Sequence, residues 1–89
     1  MSAARTVEIT NRRGLHARAS AKFVTLASAQ SVAVTVAKGG SQVTGTSIMG
    51  LMMLGAAKGD SITISAEGDG AEGAVAAMCE LVEAKFGED

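Results

Sequence analysis

The chain has 89 residues, 47% hydrophobic and 19% charged, a balance that suits one globular core and excludes a disordered segment. Eight basic against nine acidic residues leave a net charge of -1, so bulk charge recruits no nucleic acid; two aromatics, Phe23 and Phe86, are too few for base-stacking platforms. One cysteine (Cys79) cannot close an internal disulfide, and with one histidine (His16) it supplies too few ligands for a zinc site, so no metal or cofactor is expected.

The start of the chain, Met1 to Arg5, has no apolar signal core, and a cytoplasmic location is the expectation. Thr6–Thr10 then alternates apolar and polar residues as a half-buried strand does. Ala19, Phe23, Leu26 and Ala27 recur at helical spacing and form one apolar stripe. A second strand pattern covers Val32–Val36, and Gly39-Gly40 reads as a tight hairpin turn into a short polar edge strand near Ser41–Thr44. Ser47 is placed to cap a short helix over Ile48–Met53, with Gly55 past its end. The apolar run from Ile48 to Ala57 is about half a membrane span, so no insertion into a bilayer is expected. Ser61–Ser65 is the last strand pattern. Asp69 with Glu72 resembles a capping box for a final helix, whose stripe is Ala74, Ala77, Met78, Leu81 and Val82. Cys79 lies beside that stripe as a half-buried thiol with no basic neighbour, Phe23 and Phe86 read as core, and Gly87-Glu88-Asp89 reads as a frayed tail.

Clean alternation leaves one wet sheet face and favours antiparallel pairing. A right-handed crossover from the first strand to the second opens a gap that the last strand can fill antiparallel to both. The expected fold is therefore α+β: a single domain over residues 1–89, an open-faced β-sandwich with a four-stranded antiparallel sheet and its helices on one side.

The segment Asn11–Ser20, joining the first strand to the first helix, carries the chemistry. His16 stands at the helix start, where the backbone N–H groups of Ala17 and Arg18 have no partner one turn back. Helix N-termini attract phosphate, and Arg18 adds a guanidinium fork that fits phosphate oxygens. These positive surroundings disfavour imidazolium and keep the ring nucleophilic. A histidine that carries phosphate fits this set. So does a histidine that is only a polar cap, with Arg12, Arg13 and Arg18 as a solvated basic face.

Gly14-Leu15-His16-Ala17-Arg18 resembles the phosphorylation motif of the HPr family, histidine-containing phosphocarriers of the phosphoenolpyruvate-dependent phosphotransferase system. Ser47–Gly55 is similar to that family's regulatory-serine segment and Ile62–Gly68 to its last strand, in matching order and spacing. The resemblance implies a phosphoryl carrier, not an enzyme. It implies that His16 accepts phosphate on Nδ1 from enzyme I and passes it to an EIIA-type protein, with Arg18 and the Ala17 amide holding the phosphoryl group. One departure stands out: where the family commonly has proline after this arginine, the chain has Ala19.

The resemblance also implies phosphorylation of Ser47 by an ATP-dependent HPr kinase, and a shared partner surface formed by Ile48, Met49 and Met52. Magnesium would belong to the partner enzymes, and a monomer is expected. More apolar side chains occur in this segment than a short helix can bury, and Leu51 and Leu54 are expected to be the buried ones. Two rivals predict different behaviour. A regulatory relative would act through Ser47 and protein binding, in nitrogen-type signalling rather than sugar uptake. A small-ligand-sensing module that shares only the sandwich would bind a metabolite and take no phosphate.

Overall fold

In a computed structural model that describes residues 1–88, the elements run β1 (Ser2–Glu8), α1 (Ala17–Ser28), β2 (Val34–Lys38), β3 (Ser41–Thr44), α2 (Ile48–Met53), β4 (Ser61–Glu67) and α3 (Ala71–Glu83), followed by a 3-10 turn at Lys85–Gly87. The sheet order is β1-β4-β2-β3, with every neighbouring pair antiparallel. β4 thus fills the gap between β1 and β2, and β3 forms one edge, as the alternation and crossover argument required. β1 begins earlier than its alternation suggested, and β4 extends to Glu67. β2 starts at Val34, two positions later than its pattern, and continues to Lys38. Cross-strand pairing accounts for the longer β1 and β4: Ser2, Ala3 and Ala4 are too small or polar to signal a strand alone, yet they pair in register with Glu67, Ala66 and Ser65.

One sheet face is dry. Val7 lies opposite Ile62, Val36 opposite Ile64, and Val34 opposite Ala66, and all six are buried. The other face is wet, and there the Thr6 and Thr63 hydroxyls share a hydrogen bond of 2.9 Å. α3 lies over β1 and β4, while α1 packs on α2 and α3. Phe23, Leu51, Met78, Val82 and Phe86 complete the core between helices and sheet.

Two details of α3 depart from the sequence reading. Its N-cap is Gly70, not Asp69, and no side chain caps it. Gly70 is left-handed (φ 90), and a Cβ there would lie 2.8 Å from the Ser31 hydroxyl, so the helix entry is fixed by a close approach that only glycine permits. The buried stripe is also rotated: Val75 and Cys79 are buried, while Ala77 and Leu81 are only half-buried. Cys79 is therefore core, not half-exposed, and it does have a basic neighbour. Arg5 pairs with Ile64 in the sheet and so sits on the helix side of the edge strand. Burial pushes the Cys79 thiol up, and Arg5 only partly offsets this, so the thiol stays protonated and unreactive.

The C-terminal end is not frayed through Glu88; Asp89 lies outside the described residues. Lys85, Phe86 and Gly87 are consecutive left-handed residues (φ 58, 56 and 76). For the two that carry a Cβ this costs on the order of 1–2 kcal/mol each. Burial of Phe86 (1% exposed) and a 2.7 Å bond from Lys22 Nζ to the Phe86 carbonyl offset that strain. The reversal of direction brings Glu88 back against the loop that precedes α1.

Candidate functional site

Past β1 the backbone stays tied to β4's approach, with the Ile9 amide bonded to Asp60 O and the Gly59 amide to Ile9 O, both at 2.8 Å. Asn11 follows and is fully buried. Its side-chain amide donates to the Gly14 carbonyl (2.8 Å) and to Glu88 Oε1 (2.8 Å). Gly14 is left-handed (φ +66), and a Cβ there would lie 2.5 Å from Ala56 O and 2.9 Å from Ala57 Cα. Glycine lets the loop press onto the segment after α2, where the Leu15 amide bonds to Ala56 O at 3.0 Å.

His16 is the N-cap of α1, with extended backbone. Its carbonyl accepts from the Ser20 amide (2.9 Å), and the buried Ser20 hydroxyl donates to Leu15 O (3.2 Å). Its ring takes the place usually held by a Ser or Asp side chain: Nδ1 accepts from the Arg18 amide at 3.2 Å. An amide can only donate, so Nδ1 carries a lone pair. Nε2 then bears the proton, and it faces both oxygens of Glu88 at 2.9 and 3.0 Å. The imidazole is only 14% exposed and the Glu88 side chain 23%.

Glu88 changes the electrostatics expected from the sequence. The basic residues Arg12, Arg13 and Arg18 are exposed, but a carboxylate sits directly on the ring. The Asn11 hydrogen bond, and after it the bond from His16, hold the Glu88 carboxyl below the usual carboxylate range. Asn11 and Glu88 are the residues that sequence reasoning missed. Asn11 opens the Asn11–Ser20 segment, where no local signal marks its side chain as buried, and nothing linked Glu88 to a ring 72 positions away.

Arg18 and Ala17 are exposed at the first turn, and Ala19 is fully buried there, so alanine fits where the family's proline would. Ser47 caps α2: its hydroxyl accepts from the Gly50 amide at 3.0 Å. Leu51 and Leu54 are buried, as expected, while Ile48 (40% exposed), Met49 (67%), Met52 (40%) and Met53 (80%) face outward. Met53, not among the surface residues singled out from the sequence, is the most exposed of the four. Among the described residues no helix is long and apolar enough to cross a membrane, and no three His, Cys, Asp or Glu side chains gather to hold a metal.

The fold and site place the chain among small open-faced sandwiches that present a histidine at the N-terminus of their first helix. Residues 3–84 match the family described as "PTS HPr component phosphorylation site". The phosphocarrier protein HPr of Neisseria meningitidis is 48% identical over 83 residues, 93% of each chain. The phosphocarrier protein NPr of Shewanella violacea is 42% identical over 84 residues, 94% of this chain and 92% of that one. The crystal structure of HPr-C-His from Thermoanaerobacter tengcongensis superposes with a TM-score of 0.92 at 46% identity, covering 98% of each chain. The chain belongs to the HPr family of phosphocarriers of the phosphotransferase system.

Proposed function

We propose that His16 accepts a phosphoryl group on Nδ1 from phospho-enzyme I and passes it to a histidine of an EIIA-type protein in the cytoplasm. The observation that carries this reading is the ring's orientation. Nδ1 holds its lone pair at the start of α1, next to amides with no helical partner one turn back, while Nε2 is occupied by Glu88. In-line attack by that lone pair forms the N–P bond as the donor's N–P bond breaks. The Arg18 amide, released from Nδ1, and the Ala17 amide are then free to bond phosphoryl oxygens, with the dipole of a 12-residue helix behind them. The Arg18 guanidinium, on an exposed residue two positions on, screens the dianion. This stabilisation stays modest by design of the relay, because each ~1.4 kcal/mol of preference shifts the onward equilibrium tenfold.

Ser47 is the second modification site in this reading, a substrate of an HPr kinase. Its hydroxyl already lies at a helix start, where a phosphate can be accepted without unfolding the domain. The outward Ile48, Met49 and Met52 side chains supply an adaptable apolar surface on the helix packed against α1, suited to enzyme I, EIIA and the kinase in turn. The test is intact-mass spectrometry after incubation with phosphoenolpyruvate and enzyme I. A single acid-labile phosphoryl gain is expected in the wild type and none in His16→Ala; a gain in His16→Ala would remove the assignment. Offering sugar-type and nitrogen-type EIIA proteins to the loaded carrier then identifies the branch.

A further inference from the structure

The Nε2 side of the ring is as organised as the Nδ1 side. Glu88 reaches it only because three successive left-handed residues turn the chain back, Phe86 is buried, Lys22 Nζ holds the Phe86 carbonyl, and the fully buried Asn11 amide holds Glu88 Oε1. A carboxylate placed at such conformational cost against one ring nitrogen calls for a role. We propose that Glu88 is the positioning residue of the phosphoryl relay: it keeps the proton on Nε2 of His16 both before and after the phosphoryl group reaches Nδ1. The inference rests on the reading of His16 as the phosphoacceptor and adds to it a requirement on the opposite nitrogen.

The bond balance shows why that proton matters. In the free protein the Nε2–H tautomer leaves the Nδ1 pair available. When that pair forms the N–P bond, the donor's N–P pair returns to the donor ring, and no proton has moved. His16 is then a phosphoryl-bearing imidazolium, a cation directly beside the Glu88 carboxylate. On the way out, the N–P bond breaks, its pair returns to Nδ1, and a neutral imidazole leaves. Had Nε2 lost its proton first, the leaving group would be an imidazolate anion, which departs far less readily. Glu88 therefore keeps the loaded ring in the form that gives its phosphate away. Among the described residues, the other charged groups near this pair are Lys22 on α1, whose charge acts on the carboxylate, and the guanidiniums of Arg12, Arg13 and Arg18, which flank the ring in sequence.

The test uses the full chain with 15N-labelled histidine, loaded by phosphoenolpyruvate and enzyme I. It compares wild type with Glu88→Gln and Glu88→Ala. In the free protein, 15N shifts should report the Nε2–H tautomer in wild type and a mixture of tautomers in Glu88→Ala. In the loaded protein, the pH at which Nε2 loses its proton should fall by about one unit or more in Glu88→Gln, because an opposite charge in contact has been removed. Transfer to an EIIA acceptor should begin to fail at a correspondingly lower pH. A purely structural tail would move neither readout in the glutamine variant. Coincident pH profiles for wild type and Glu88→Gln, with His16 phosphorylated in both, would overturn the inference and leave His16 as the acceptor intact. Absence of any phosphohistidine in the wild type would instead defeat both readings together.

Discussion

Single residues decide whether the histidine loop has the right shape, and Gly14 is the most demanding of them. Its left-handed backbone and its contact with Ala56 O exclude any side chain. Gly14→Ala should destabilise the protein by about 2–4 kcal/mol, since backbone strain and a steric clash add. Urea unfolding measures this, and a wild-type midpoint would show that the loop relaxes at no cost. The placement of His16 and Arg18 at the start of α1 was legible because helix start, imidazole and guanidinium lie within three positions of each other. The role of Asn11 was not legible, since nothing local tells that its amide is buried and divided between Gly14 and Glu88. Glu88 was illegible for a related reason: its partner is reached through two strained residues whose side chains, Lys and Phe, argue against a left-handed path.

Among the elements, α2 separates stability from docking. Ser47 caps it through the Gly50 amide, and Gly50 itself packs against Val43 of β3. Aspartate is as good a cap as serine, so Ser47→Asp should leave stability within about 0.5 kcal/mol of wild type. The added charge beside exposed Ile48 and Met49 should weaken the affinity for enzyme I, as measured by titration calorimetry. Unchanged affinity would count against Ser47 as a control point. Strand and helix order were legible throughout, because alternation and helical spacing are local signals. The start of α3 was not. Asp69 and Glu72 have the spacing of a capping box, but the close approach of Ser31 to Gly70 moves the helix start one residue on. The rotation of its buried stripe toward Val75 and Cys79 depends on which strands it covers, and periodicity alone is silent on that.

The whole molecule gains from the C-terminal clip because it ties the end of the chain to the first loop, across Asn11, His16, Lys22 and Phe86. The folded Glu88 carboxyl titrates below its ordinary value of 4.5, with the Asn11 bond the largest cause. A group depressed on folding contributes its stability fully above its unfolded value and loses it as pH falls through the folded one. Wild type should therefore be more stable than Glu88→Gln near pH 7, and the difference should shrink in acid, at a pH well below 4.5. Denaturant curves at the two pH values check this; a difference that persists in acid would assign the stability to packing of the tail. The open-faced topology itself was legible from the number and order of strands, because a right-handed crossover leaves a single vacant place for β4.

The histidine is also the cap of its own helix, and this makes the site self-reporting. In the proposed relay a cap and a nucleophile would draw on the same Nδ1 lone pair, so a phosphorylated Nδ1 would leave the Arg18 amide without its present acceptor. If His16 is the acceptor, the occupancy of the ring is written into one backbone N–H, and its chemical shift and hydrogen-exchange rate should then count loaded molecules in a mixture of partners.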